Sequence, residues 1–112
     1  MPLITTKAST EISKEKEVIL KEKFGKAIEL INKSESWLMI DFQENRHLWF
    51  KGDSAPSAMV EVDLLGKASD SGYDALTKAI TDIVSDELGI SADRIYVKYN
   101  EFDHWGYNGF NF

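Results

Sequence analysis

Residues 90–101 read ISADRIYVKYNE, and residues 31–42 read INKSESWLMIDF. The two segments correspond at an offset of 59, from Ile31 to Ile90, each passing from an isoleucine through polar residues into a short apolar and aromatic run. Such a passage marks a turn entering a strand. A helical pattern stands in front of each copy. In ISKEKEVILKEKFGKAIELINK (12–33), Leu20, Phe24, Ala27, Ile28 and Ile31 recur at helical spacing, Ser13 is placed to cap the helix, and Glu and Lys fill the solvent face. In SDSGYDALTKAITDIVSDELG (69–89), Leu76, Ala79, Ile80, Ile83 and Val84 form the apolar stripe and Gly89 is a natural stop. A further strand precedes each helix, Leu3–Lys7 in the first half and SAMVEVDLLG (57–66) in the second, so each half reads strand, helix, strand.

A strand joined to a parallel neighbour through a helix makes a right-handed crossover. Two such units predict an α+β fold: duplicated β-α-β units forming a four-stranded sheet with two helices on one face. Leu3, Trp37, Met39, Val60 and Val62 cannot all lie under two helices if the strands alternate, so apolar positions are expected on the open face and oligomerisation with them. Between the halves, QENRHLWFKGDSAP (43–56) reads as a hairpin or irregular loop ending in a turn, and HWGYNGFNF (104–112) is too aromatic to be casual disorder.

With 112 residues, 43% of them hydrophobic, the chain suits a single domain spanning 1–112. No apolar run approaches the roughly 18 to 20 residues that a membrane span needs, and the N-terminus lacks the sections of a secretory signal; both point to a cytoplasmic protein, or one released without a signal peptide. The absence of cysteine excludes disulfides, thiolate metal sites and cysteine nucleophiles. A formal net charge of −6 argues against nucleic acid as a partner. His47 and His104 stand far apart, outside any metal-ligand spacing, and read as surface or packing residues, so no metal is expected.

The chain opens MPLI. Proline lacks a ladder donor and suits the first residue of a strand. Its second reading is chemical: if Met1 is removed, as a small second residue permits, Pro2 carries a free secondary amine, and an amine can act as a base.

The order of elements with proline at position 2 resembles macrophage migration inhibitory factor and its tautomerase relatives, nearly end to end. The anchors are MPLI, Lys33 before the second strand, LLGK (64–67) before the second helix, and ISADRIYVKY (90–99). The resemblance implies a mixed sheet, a homotrimer with sites at subunit interfaces, and a keto–enol tautomerase that needs no cofactor. Pro2 would be the general base and then acid toward a small-molecule keto acid such as phenylpyruvate. Lys33 and the backbone N–H of Leu65 would hold the carboxylate, and Tyr96 would come from the neighbouring subunit. Trp37, Trp105, Tyr107 and Phe112 would give an aromatic lining, or else glue subunits together. A free α-amine titrates near about 7.7 to 8.0, so the pocket must lower its pKa; burial and the Lys33 cation both act in that direction.

Four departures from the family bear on the expectation. Lys98 replaces the asparagine of the animal cytokine, adding a cation that either joins the carboxylate site or turns outward. The CxxC motif is missing, with SAPSAMVEV (54–62) in its place, and the thiol–disulfide activity associated with it should be missing too. Trp37 stands where a tyrosine is usual, so the phenolic hydroxyl is lost, and the tail is about two residues shorter than in the animal proteins. Arg46 and Arg94 are the only arginines. Arg94 reads as a surface residue in a turn, which disfavours the related dehalogenases and decarboxylases with their pocket arginines. The alternative from another class is a cytokine-like protein that binds a receptor and has little turnover.

Overall fold

The computed structural model describes residues 1–112. Strand β1 (Pro2–Ala8) leads into helix α1 (Lys14–Ala27), a 3-10 turn over Ile28–Ile31 and another over Glu35–Trp37, and then β2 (Met39–Gln43). The second half repeats the plan with β3 (Ala58–Leu65), α2 (Asp70–Leu88), a 3-10 turn at Ala92–Arg94 and β4 (Ile95–Phe102). The chain ends in a two-stranded hairpin of β5 (Gly106–Tyr107) and β6 (Phe110–Asn111). Sheet order is β2-β1-β3-β4, with β1/β2 and β3/β4 parallel and the central β1/β3 pair antiparallel. The expected duplicated, mixed sheet is therefore the observed one. No helix is long and apolar enough to cross a membrane.

Local signals set the helix ends. The Ser13 hydroxyl accepts from Lys16 N–H, Ser69 does the same for Gly72 N–H, and Gly89 stops α2 with φ at +67°. Leu20, Phe24, Ile28, Leu76, Ile80 and Val84 are fully buried against Ile4, Val60, Val62 and Leu64 of the sheet. Ile28–Ile31 continue α1 as a tighter 3-10 turn, and Asn32, in the left-handed region at φ +59°, reverses the chain into Lys33. The second strand begins only at Met39, because residues 35–37 wind into their own turn capped by Ser34.

The open face of the sheet meets the apolar expectation in part: Leu3 and Met39, paired across β1 and β2, lie on it, and Val60 and Val62 do not. Val60 and Val62 lie wholly under the helices. Beside the apolar Leu3 and Met59, the outward-facing side of β1, β3 and β4 carries a charged and polar cluster: Lys7 Nζ meets Glu61 Oε1 at 2.8 Å, Lys98 Nζ approaches the same oxygen at 3.8 Å, and Asn100 donates to Asp63 at 2.7 Å. Exposed apolar side chains gather instead at the Pro2 end and on the tail, among them Trp37, Met39, Tyr107, Phe110 and Phe112. The physical reason is strand parity. With Leu64 on the helix face, Val62 and Val60 must follow it inward, and Asp63 and Glu61 take the open side.

Arg94 is not a surface residue. Its side chain is 12% exposed, its guanidinium donates to the carbonyls of Phe50, Ala55 and Pro56, and it pairs with Asp53 at 2.9 Å. It ties the 50–57 loop to the start of β4. That loop turns through Lys51 and Gly52, both at positive φ, with Phe50 and Asp53 exchanging backbone hydrogen bonds. It is a tight hairpin turn set within an otherwise irregular connection.

Candidate active site

Pro2 is the first residue of β1 and sits opposite Leu64 of β3. The ladder extends one rung beyond it, because Leu65 N–H donates to the Met1 carbonyl at 3.2 Å. Lys33 reaches the same point from the first half of the chain, its Nζ donating to the Leu65 carbonyl at 3.0 Å. Two sequence features bring it there: Asn32 turns the chain after α1, and Gly66, at φ +78°, turns β3 away just past Leu65. One end of the central strand pair thus carries a chain terminus, a backbone N–H and a lysine.

Beside them lies a cleft of about 450 Å³ lined by Met1, Pro2, Leu3, Trp37, Met39, Trp105 and Tyr107 with Ser36, Leu38 and Gly106; Lys33 and Leu65 lie outside this lining. Trp37 and Tyr107 meet edge to face with ring centroids 5.1 Å apart, and Trp105 packs on Phe102 at 6.0 Å. Trp105 and Tyr107 are delivered by the terminal hairpin, whose turn runs through Asn108 (φ +51°) and Gly109 (φ +81°). Both central residues at positive φ make this the turn whose twist matches a two-stranded ribbon, and Asn-Gly is its preferred sequence. Phe112 N–H donates to the Trp105 carbonyl and closes the hairpin; Phe112 lies outside the lining of the cleft.

Electrostatics at this end favour a neutral amine. Burial, and after it the nearby Lys33 charge, hold the Met1 amine below the ordinary α-amino value. A cleft of similar volume, about 430 Å³, at the opposite end of β1 is lined by Ser9, Arg46, His47 and Trp49 and has no comparable grouping around a terminus.

Tyr96 and Lys98 are not near this cleft within the chain. Tyr96 pairs with Met59, which pairs with Lys7, whereas Pro2 pairs with Leu64, five residues along β3. That separation is about 16 Å along the strand, too far for a side chain to bridge. The Tyr96 ring rests on Phe50 at 4.8 Å, and the Lys98 ammonium leans toward Glu61. Among the residues that form the site, Met1 is the one that sequence reasoning passed over, since a residue expected to be removed offered no reason to inspect its carbonyl. The Asn-Gly at 108–109 was a legible signal for the hairpin that carries Trp105 and Tyr107.

The sequence model for macrophage migration inhibitory factor matches residues 1–112. Macrophage migration inhibitory factor of Meriones unguiculatus is 25% identical over 114 residues, covering the whole of this chain and 99% of that protein. Among solved structures, MIF2 of Leishmania major superposes with a TM-score of 0.95 at 33% identity, over all of this chain and 97% of the other. The homologue from Prochlorococcus marinus gives 0.86 at 31% identity, with 98% of each chain covered.

Proposed function

The chain belongs to the macrophage migration inhibitory factor family, and on that premise we propose that it is a keto–enol tautomerase of small aromatic 2-keto acids such as phenylpyruvate. Family membership supports a function of this family, enzymatic or cytokine-like. The observation that favours catalysis is the convergence of the Pro2 terminus, the Leu65 N–H and Lys33 beside an aromatic cleft.

In the proposed reaction, Met1 has been removed and the Pro2 amine is neutral. It takes a proton from the carbon next to the keto group, and the prolinium so formed returns that proton to the carbonyl oxygen, giving the enol and the neutral amine; ketonisation is the reverse, with the amine first taking the enol proton and the prolinium then protonating carbon. The net change is the position of one proton and one double bond, so no co-reactant is required. The Lys33 ammonium and Leu65 N–H hold the two carboxylate oxygens as charge-assisted hydrogen bonds. Trp37, Trp105 and Tyr107 flank the aromatic ring, where offset or edge contacts contribute about 0.5 to 1.5 kcal/mol each beyond burial. Tyr96 and Lys98 enter from a neighbouring copy in a homotrimer, which the distance between them and Pro2 in one chain requires if they touch substrate. Lys98 then adds a second cation to the carboxylate end, and Phe112 braces the hairpin behind the ring.

The test pairs intact mass, which reports whether Met1 is gone, with ketonisation of enol-phenylpyruvate followed by ultraviolet absorbance. Processed protein should be active, and Pro2→Ala should lower kcat/KM by about 10²- to 10⁴-fold. An inactive, processed, folded protein would remove this reading and bring the receptor-binding one forward.

A further inference from the structure

Residues 44–57 join β2 to β3 outside the named strands, and residues 51–56 are all exposed. With so little of the loop buried, its shape has to come from hydrogen bonds, and one side chain supplies most of them. Arg94 Nε donates to the Pro56 carbonyl at 3.0 Å and to the Ser57 hydroxyl at 3.1 Å. Its Nη2 donates to the carbonyls of Phe50, Asp53 and Ala55 at 3.1, 3.3 and 3.1 Å and pairs with the Asp53 carboxylate. A guanidinium suits this task because its donors are fixed in one plane, where a lysine offers a single charged point. Arg94 stands immediately before β4, so the loop is fastened to the start of that strand.

The same guanidinium also meets a ring. Its carbon stands 5.4 Å from the centroid of Phe50, and Lys51 Nζ lies 5.5 Å from it. Phe50 is therefore held through its carbonyl and through its ring, and the ring rests on Tyr96 with centroids 4.8 Å apart. Tyr96 is the second residue of β4 and is 56% exposed. Beside it lies a mainly apolar cavity of about 240 Å³ whose lining includes Leu48, Trp49, Phe50, Met59 and Tyr96. If Phe50 withdrew, the tyrosine ring would have room to turn.

We propose that Arg94 is a positioning residue for Tyr96: by fastening the 50–57 loop it holds the Phe50 ring against the tyrosine and sets the direction in which the phenol leaves the sheet. That Tyr96 then touches substrate in a neighbouring copy rests on the tautomerase and homotrimer readings. The clamp itself rests on contacts within one chain. The hydroxyl is the atom that swings furthest when a tyrosine turns about its side-chain bonds, and misplacing a reacting or binding group by about 1 Å can cost on the order of 10²-fold in rate. A residue that never meets the substrate can in this way govern turnover.

The experiment uses protein labelled with 13C in its tyrosine rings and three variants. Arg94→Lys keeps the charge and loses the fork, Phe50→Leu keeps the arginine and loses the ring, and Phe50→Tyr puts a ring back. The Tyr96 resonances, assigned by their loss in Tyr96→Phe, should move toward free-tyrosine values in the first two variants and stay near wild type in the third. Those of Tyr73 and Tyr99, which pack on each other, should not move. In ketonisation of enol-phenylpyruvate, Arg94→Lys should lower kcat/KM about tenfold or more in the wild-type background. In a Tyr96→Phe background it should cost less than about twofold, since the arginine acts through that hydroxyl. An arginine that merely stabilises the fold costs the same factor in both backgrounds. That outcome overturns the proposal, and so do Tyr96 resonances that ignore both Arg94→Lys and Phe50→Leu. If Arg94→Lys fails to fold, Phe50→Leu carries both measurements. A wild-type protein that ketonises no enol-phenylpyruvate removes the tautomerase reading, and the Tyr96 resonances then decide the clamp alone.

Discussion

Lys33 shows how one side chain takes on more than one task. Its ammonium is tied to the Leu65 carbonyl and lies close enough to the terminus to disfavour a second positive charge there. A group whose protonated form is disfavoured loses its proton at lower pH, so if the Pro2 amine takes over the environment that the Met1 amine has, kcat/KM should rise and level off below the pH expected of an ordinary α-amine. Lys33→Gln removes the cation, and the rise should move to higher pH while KM for phenylpyruvate increases about tenfold or more. The shift should be partial, since burial is the larger cause at the terminus. A pH profile that does not move would mean the lysine acts on the carboxylate alone. Thr6 offers a test of packing away from the site. It is fully buried on β1 and its hydroxyl has no hydrogen-bond partner, so Thr6→Val, which keeps the shape, should raise unfolding free energy in urea by about 1 kcal/mol.

At the scale of elements, the terminal hairpin governs the shape of the cleft without contributing to the core. Its residues are largely exposed, and its turn depends on Gly109 at φ +81°. A Cβ there would meet nothing within 4 Å, so the penalty of Gly109→Ala is conformational and not steric crowding. A left-handed residue with a Cβ costs about 1 to 2 kcal/mol. Because the hairpin is not part of the core, the loss should appear as a higher KM for aromatic keto acids, with the melting temperature of the whole domain nearly unchanged. A fall in melting temperature with KM unaffected would place the hairpin in the core's cooperative unit and off the substrate. The hairpin was legible in YNGF (107–110), where Asn-Gly sits between aromatics. What it packs beside was not legible, since Trp37 lies 70 positions from Tyr107 and only the fold brings the rings together.

For the molecule as a whole, the open sheet face poses the main question. It carries the Lys7–Glu61–Lys98 cluster and an Asp63–Asn100 pair beside Leu3, Met39 and Met59, so charge and hydrogen bonding as well as apolar burial would specify how copies meet there. The proposed homotrimer makes a quantitative prediction. Pro2→Ala and Tyr96→Ala should each be nearly inactive, and equal amounts refolded together should regain about a quarter of wild-type activity, the share of interfaces joining an intact Pro2 to an intact Tyr96 in a closed ring. Activity that never exceeds the mean of the two separate variants would mean that Tyr96 serves its own chain or none.

The sequence by itself determined the duplicated strand–helix–strand plan, the helix caps at Ser13 and Gly89 and the buried stripes of both helices. These follow from periodicity and from hydrogen bonds between near neighbours, which a few residues settle among themselves. Position 2 was also singled out there, as a proline where an amine could be exposed. Only the tertiary structure decided which face Val60 and Val62 occupy, because strand parity depends on the register against β1. It alone gathered Arg94 under the 50–57 loop and brought Met1, Lys33 and Leu65 to one point. Those contacts join residues more than 30 positions apart, and their closeness is a consequence of packing the two halves back to back along the antiparallel β1/β3 seam, which no local stretch of the chain encodes.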